Sequence, residues 1–189
     1  MTTSLNDYGD IIELDYKVDT EKLIQQLKDL DTWISVINNK DAINLNGPID
    51  DIGHKNNNKH DKDQQELNDN FYKCSALFEF FDKFPDLARC RAFALNKGSM
   101  FGPHRDAWRD NEQFRIVIFL NKTEMKDFIF FYEDRILSLK PGVPYIVNTR
   151  KVHGSCTFSD DIYHIVMSLY LTKENIKSVW NLMPNINEH

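Results

Sequence analysis

Arg89-Cys90-Arg91-Ala92-Phe93-Ala94-Leu95 marks the point where the hydrophobic period of the chain changes to two. Successive side chains of a strand point to opposite faces, so this alternation reads as a β-strand. The same kind of segment recurs at 114–120, 127–132, 135–139, 145–148, 152–158 and 163–171. Polar turns and the Gly98 and Pro141-Gly142 signals separate them. Seven short strands in succession predict a sandwich or barrel.

Before this stretch the pattern is different. Ile12, Leu14, Tyr16 and Val18 alternate with charged residues, as in a half-buried strand. Leu23, Leu27, Leu30, Trp33/Ile34 and Ile37 recur at helical spacing, with Asp19 or Thr20 as cap. Leu67, Phe71, Cys74, Leu77/Phe78 and Phe81 form a second helical stripe that ends before Pro85. Between the two stripes, 39–63 is polar and rich in turn residues, and is expected to be a flexible lid loop. Its His54 and His60 sit beside Asn56-Asn57-Asn58, which does not promise the order a metal ligand needs. After the strands, Thr172 caps a last helix over about 173–183, ended by Pro184. The fold class is therefore α+β, mainly β. One domain spans 1–189: an N-terminal strand and helices over 1–88, the β core over 89–172, and a helix and tail over 173–189.

Two segments inside the β region carry chemistry. Gly102-Pro103-His104-Arg105-Asp106 holds a His-x-Asp pair, and Asn148-Thr149-Arg150-Lys151-Val152-His153 ends in a second histidine. Two imidazoles and one carboxylate on one face of a metal leave other positions open, the ligand set of non-haem Fe(II) oxygenases. Residues two apart at a strand end point the same way, which suits His104 and Asp106.

Composition narrows the partners. With 189 residues, 41% hydrophobic content and 13 Phe, the chain can bury a substantial core. The formal charge of −6 makes nucleic acid a poor partner. No apolar run approaches the roughly 20 residues of a membrane span, and the N-terminus has no signal region. A soluble cytoplasmic protein is expected. Cys74, Cys90 and Cys156 form no metal or redox motif and read as reduced thiols.

Residues 95–106, the strand Arg115-Ile116-Val117-Ile118-Phe119-Leu120, and the segment from Leu139-Lys140-Pro141-Gly142 to His153 together resemble the aspartyl/asparaginyl β-hydroxylase-like and proline-hydroxylase-like 2-oxoglutarate oxygenases. The match covers roughly 90–172. It implies a double-stranded β-helix, that is, a jelly roll of cupin-like type. It implies Fe(II) on His104, Asp106 and His153, 2-oxoglutarate as cosubstrate, and hydroxylation of an amino acid or a peptidyl residue by O2. Asp106 points to hydroxylation, because the related halogenases leave that position to a halide.

The resemblance departs from the family where the far carboxylate of 2-oxoglutarate is held. The family commonly has an Arg on the strand after the second His. That position is Tyr163 here, with His164 beside it. Arg115 matches a second family arginine, so the expectation is Arg115 as anchor with Tyr163 or His164 adding a hydrogen bond. Arg suits a carboxylate through two parallel hydrogen bonds. Trp108 and Arg109 follow the triad loop and are candidate substrate contacts. Arg91 lies on a strand that either lines the pocket or is exposed. A cupin-like iron protein that does not use 2-oxoglutarate, and a degenerate binding module, remain the alternatives.

Overall fold

The computed structural model describes residues 10–36, 40–47, 49, 66–106 and 113–184. Two antiparallel sheets face each other, and helices cover the outer face of the larger one. The large sheet has the order β1 (Ile11–Glu13), β9 (Pro144–Val147), β6 (Gln113–Phe119), β11 (Ile162–Tyr170), β4 (Leu87–Leu95), β3 (Lys40–Asn44), β2 (Ile34–Val36). The small sheet has the order β5 (Met100–His104), β10 (His153–Thr157), β7 (Phe128–Tyr132), β8 (Arg135–Leu137).

The period-two pattern decides what each face of the large sheet meets. On β6, Ile116 and Ile118 belong to the core shared with the helices, whereas Val117 and Phe119 belong to the core between the sheets. β11 is central and buried along almost its whole length. Tyr163, Ile165, Met167 and Leu169 pack on the helix side, and His164, Val166 and Ser168 face the small sheet.

α1 (Thr20–Lys28) starts on the Asp19 carboxylate, which accepts from Lys22 N at 3.1 Å. It buries Leu23 and Leu27 completely, each contributing about 1.5–3 kcal/mol. The expected extension of this helix to Ile37 is corrected. The Trp33 indole donates to the Leu27 carbonyl at 3.0 Å and satisfies a helix-end acceptor. The β-branched Ile34 and Val36 then pair with β3 instead.

The start of the 39–63 loop is corrected as well, because Lys40–Asn44 is a strand paired with both β2 and β4. Asparagine side chains continue the ladder's work where the strand ends. Asn46 Oδ1 accepts from Cys90 N at 2.6 Å, and Asn70 Nδ2 and Asn68 Nδ2 each donate to Asn44 O at 3.1 Å. Residues 48 and 50–63 lie outside the described residues, with His54 and His60 among them.

The second helical stripe is broken into α2 (Asp69–Lys73), a 3₁₀ turn (Ser75–Leu77) and α3 (Phe78–Phe81). Cys74 leaves helical geometry at φ −101, ψ 59. The Gln26 side chain bridges the gap, donating to Ser75 Oγ at 2.8 Å and accepting from Ala76 N at 3.1 Å. α4 (Lys173–Leu182) is capped by Thr172 as expected. Cys74, Cys90 and Cys156 are free, and burial pushes the Cys74 thiol up to about 11. No helix among the described residues is long and apolar enough to cross a membrane.

The turn that feeds β9 needs its glycine. Gly142 has φ +78, and a Cβ there would meet Thr20 Cγ2 at 2.7 Å and the Val18 carbonyl at 2.8 Å. Its N–H donates to Phe119 O at 2.7 Å, and Val18 N donates to Gly142 O at 2.9 Å, which ties the N-terminal segment to the sandwich.

Candidate metal centre and its cavity

β5 ends on His104 and β10 begins on His153, and the two residues are direct partners across the antiparallel pair. Directly opposed residues bring their side chains together, and the two imidazole centroids are 4.3 Å apart. Two hydrogen bonds orient the rings. His104 Nδ1 lies 2.7 Å from Gly102 O, and His153 Nδ1 lies 3.0 Å from Lys151 O. A carbonyl only accepts, so each Nδ1 carries the proton and each Nε2 presents a lone pair, the usual arrangement for a metal-ligating histidine.

Asp106 follows β5 and is fixed through its backbone, with its N–H donating to Thr149 O at 2.9 Å. Its carboxylate Oδ1 lies 3.6 Å from His104 Nε2. Ligand atoms of His104, Asp106 and His153 all fall within 4.8 Å of one another. Burial pushes the His153 imidazole below its ordinary pKa, which favours the neutral, ligating form.

The turn before His153 is held by Asn148. Its Oδ1 accepts from Arg150 N at 3.3 Å, its carbonyl accepts from Lys151 N at 3.2 Å, and Tyr132 Oη donates to the same carbonyl at 3.0 Å. Lys151 Nζ pairs with Asp10 at 2.9 Å, and Arg150 is exposed. Neither basic residue lines the cavity. Immediately after His153, β10 is clamped between β5 and β7. A Cβ on Gly154 would land on Phe131 Cζ and on the Phe101 carbonyl, so glycine lets three strands meet beside His153.

These three side chains stand in the lining of a cavity of about 390 Å³ between the sheets. Phe93, Phe101, Phe119, Phe130, Val117 and Val166 form its apolar walls. Its cations are Lys40, Arg89, Arg91 and Arg115, with Asp106 the carboxylate among the described lining residues.

Arg115 enters the cavity as the sequence suggests, but it stands at the metal end. Its Nε lies 3.0 Å from Asp106 Oδ2. Burial lowers its pKa, and Arg89 pushes the same way while Asp106 opposes both. Tyr163 does not line the cavity. It points to the opposite face of β11 and meets the Trp33 ring edge-on at 6.3 Å, because neighbours on a strand point opposite ways. Its neighbour His164 faces inward, stacked between Phe93 at 4.9 Å and Phe119 at 5.2 Å.

Lys40 is the residue that sequence reasoning missed. It lies in the stretch read as a loop, and only its pairing with β4 brings it to the cavity. It is 6% exposed, sits 3.5 Å above the Phe101 ring and donates to Met100 O at 2.9 Å. Burial lowers its pKa. Trp108 and Arg109 lie outside the described residues.

No protein-family model matches the chain, and no curated protein matches it in sequence. Solved structures do match. A 2OG-Fe(II) oxygenase family oxidoreductase from Burkholderia pseudomallei aligns with a TM-score of 0.54 at 14% identity, over 90% of this chain and 91% of that one. The viral collagen prolyl hydroxylase of Paramecium bursaria Chlorella virus-1, solved with 2OG, aligns with a TM-score of 0.55 at 10% identity, over 90% of this chain and 100% of that one. The fold is a double-stranded β-helix. At these identities the likeness concerns the fold, and the chemistry has to be argued from the side chains.

The buried His164 makes a pH prediction. Burial, with the Lys40 charge adding to it, brings its pKa from 6.5 down to about 3. The unfolded chain binds this proton below pH 6.5 and the folded chain does not until about pH 3. Stability contributed by the neutral imidazole is complete above pH 6.5 and is lost as the pH falls through that window. Each unit within it costs about 1.4 kcal/mol. Urea unfolding at neutral pH and near pH 4.5 should therefore show a smaller acid loss for His164→Gln than for the parent, by on the order of 2–3 kcal/mol. An equal loss in both proteins would contradict this burial.

Proposed function

We propose that the protein is an Fe(II)- and 2-oxoglutarate-dependent dioxygenase that hydroxylates an amino acid or a peptidyl residue. The observation that carries this reading is the convergence of His104, Asp106 and His153 at one end of a cavity that also holds buried cations. The donor set fits Fe(II): two neutral imidazoles with Nε2 presented, and one carboxylate. Iron with 2-oxoglutarate and O2 would supply an oxidant for an unactivated C–H bond, releasing succinate and carbon dioxide.

The chain's own residues then have distinct tasks. Gly102 O and Lys151 O set the ring orientations of the two histidines. Arg115 positions Asp106 through their ion pair. The distal carboxylate of the cosubstrate falls to Lys40 and His164, which replace Arg115 and Tyr163 in that role. Lys40 donates to Met100 O, four residues along β5 from His104, so its charge lies down the cavity from the metal. His164, close enough to feel the Lys40 charge, offers one N–H from its neutral ring. The phenylalanine walls exclude water around both groups and strengthen their pairing with an anion.

Succinate release tests the activity. It should require Fe(II) and 2-oxoglutarate and vanish in Asp106→Ala when the protein is incubated in air with free amino acids and short peptides. A parent protein that consumes no 2-oxoglutarate with any of them would remove the hydroxylase reading.

A further inference from the structure

We propose that the aromatic cleft beside residues 66–68 docks an extended peptide that carries a lysine or arginine two residues from an apolar side chain. This cleft of about 580 Å³ shares no described lining residue with the metal cavity, so the docking stands apart from the oxygenase reading. Its aromatic wall comes from the break in the second helical stripe. Phe71 and Phe78 would stand about 10 Å apart along one continuous helix, and Phe71 and Phe81 about 15 Å. The break at Cys74 folds α3 back instead, and the ring centroids of Phe78 and Phe81 lie 5.2 and 4.6 Å from that of Phe71. Tyr72 meets the Phe71 ring edge-on at 5.7 Å and is 62% exposed. A large aromatic side chain held in place yet open to solvent is the kind that anchors protein contacts.

Charge selects the side chain. Glu66 and Asp82 are the charged groups among the described lining residues, and both are exposed. Neither carboxylate makes an ion pair or hydrogen bond among the described residues. Two carboxylates beside aromatic rings suit a lysine or arginine, whose alkyl stem packs on the rings while its charged head meets the acids. The backbone selects a peptide over a free amine. Gly47 N donates to Glu66 O at 2.9 Å and Asn68 N donates to Leu45 O at 3.3 Å, which makes an antiparallel bridge between Asn46 and Leu67. In this pattern the residue between the two bonding positions turns its own N–H and C=O away from the paired strand. Those two Leu67 groups have no partner among the described residues, and Leu67 lines the cleft. An unpaired strand edge is a template for another strand. A peptide added there draws affinity from main-chain hydrogen bonds and specificity from alternate side chains in pockets.

The test is a titration of the isotope-labelled full chain with acetyl-Ser-Leu-Ser-Lys-Ser-amide, followed by NMR of the backbone amides. Leucine and lysine share one face of this peptide when it is extended. We expect saturable shifts centred on the Leu67 amide. The glutamine counterpart of the peptide should bind at least about threefold more weakly. The double variant Glu66→Gln/Asp82→Asn should bind both peptides alike, and Tyr72→Ala should weaken both at least about fivefold. Raising NaCl from about 0.05 to about 0.5 M should narrow the advantage of the lysine peptide. No saturable shift at Leu67, or equal affinity of the two peptides for the parent protein, would overturn the proposal. Shifts centred on Val117 and Val166 would overturn it too, since the peptide would then occupy the metal cavity. Tetramethylammonium binding as tightly as the peptide would assign the cleft to small cations, and a parent dimer that dissociates in Tyr72→Ala would assign it to a second copy of the chain; either result overturns peptide docking. The Leu67 readout needs no metal, so failure here and failure of the oxygenase reading are separate results.

Discussion

Alanine at His104, Asp106 or His153 is expected to abolish tight Fe(II) binding in each case while the sandwich stays folded. None of the three side chains belongs to either hydrophobic core, so their loss removes metal donors and little packing. Each donor set of three becomes two, and two ligands from one protein hold Fe(II) poorly against water. The three variants should still differ in stability. The His104 side chain is 42% exposed and its removal should be nearly neutral. Asp106 is the partner of the partly buried Arg115 at 3.0 Å. Its removal deletes this ion pair while the Arg89 charge stays near Arg115. Loss of one partner of such a charge costs on the order of 1–3 kcal/mol. Equilibrium dialysis with Fe(II) under argon and urea unfolding would check both halves. Tight iron binding by any one of the variants would remove the triad from the account.

Lys40→Met is expected to weaken 2-oxoglutarate binding at least about tenfold while leaving Fe(II) affinity unchanged. The methionine keeps the length and the contact with Phe101 but removes the charge. Truncating one partner of a buried charge pair typically costs about 2–5 kcal/mol, much of it from the partner left unpaired, and roughly 1.4 kcal/mol is tenfold. Calorimetric titration of 2-oxoglutarate into Mn(II)-loaded protein measures it directly. Arg115→Met supplies the contrast. Because Arg115 acts through Asp106, its loss should fall on metal affinity first. If Arg115→Met loses 2-oxoglutarate and Lys40→Met does not, the anchor is the arginine that the sequence pattern selects.

The jelly-roll half was legible because its signals are local. The alternation around Arg89–Leu95, the Pro141-Gly142 turn and the His-x-Asp spacing each report on a few neighbouring residues, and all seven strands read from them are present. β5 carries no comparable alternation, since Gly102-Pro103 interrupts it. It is a strand because β10 pairs with it. The N-terminal half was harder for the same reason. Lys40–Asn44 reads as a polar turn until β2 and β4 hold it, and Trp33 ends a helix that its own spacing would continue. The site followed this division. His104 and Asp106 are marked by their His-x-Asp spacing and His153 opens an alternating strand, and the three come together as expected. Arg115 reaches the cavity but turns to Asp106, and Tyr163 and His164 had to be separated by strand parity. Lys40 could not be found from its neighbours, because its place in the cavity depends on a pairing across more than forty residues of sequence.

If His104, Asp106 and His153 hold an iron to which 2-oxoglutarate binds, the complex carries a spectroscopic signature. Anaerobic addition of Fe(II) and then 2-oxoglutarate, followed by visible absorption, tests it most directly. A keto acid chelated to Fe(II) gives a metal-to-ligand charge-transfer band. We expect a band that needs both components, saturates at one equivalent of each, is absent in His153→Ala and requires more 2-oxoglutarate in Lys40→Met. Iron binding with no such band at any 2-oxoglutarate concentration would contradict it, and would make the chain an iron protein of the same fold with different chemistry.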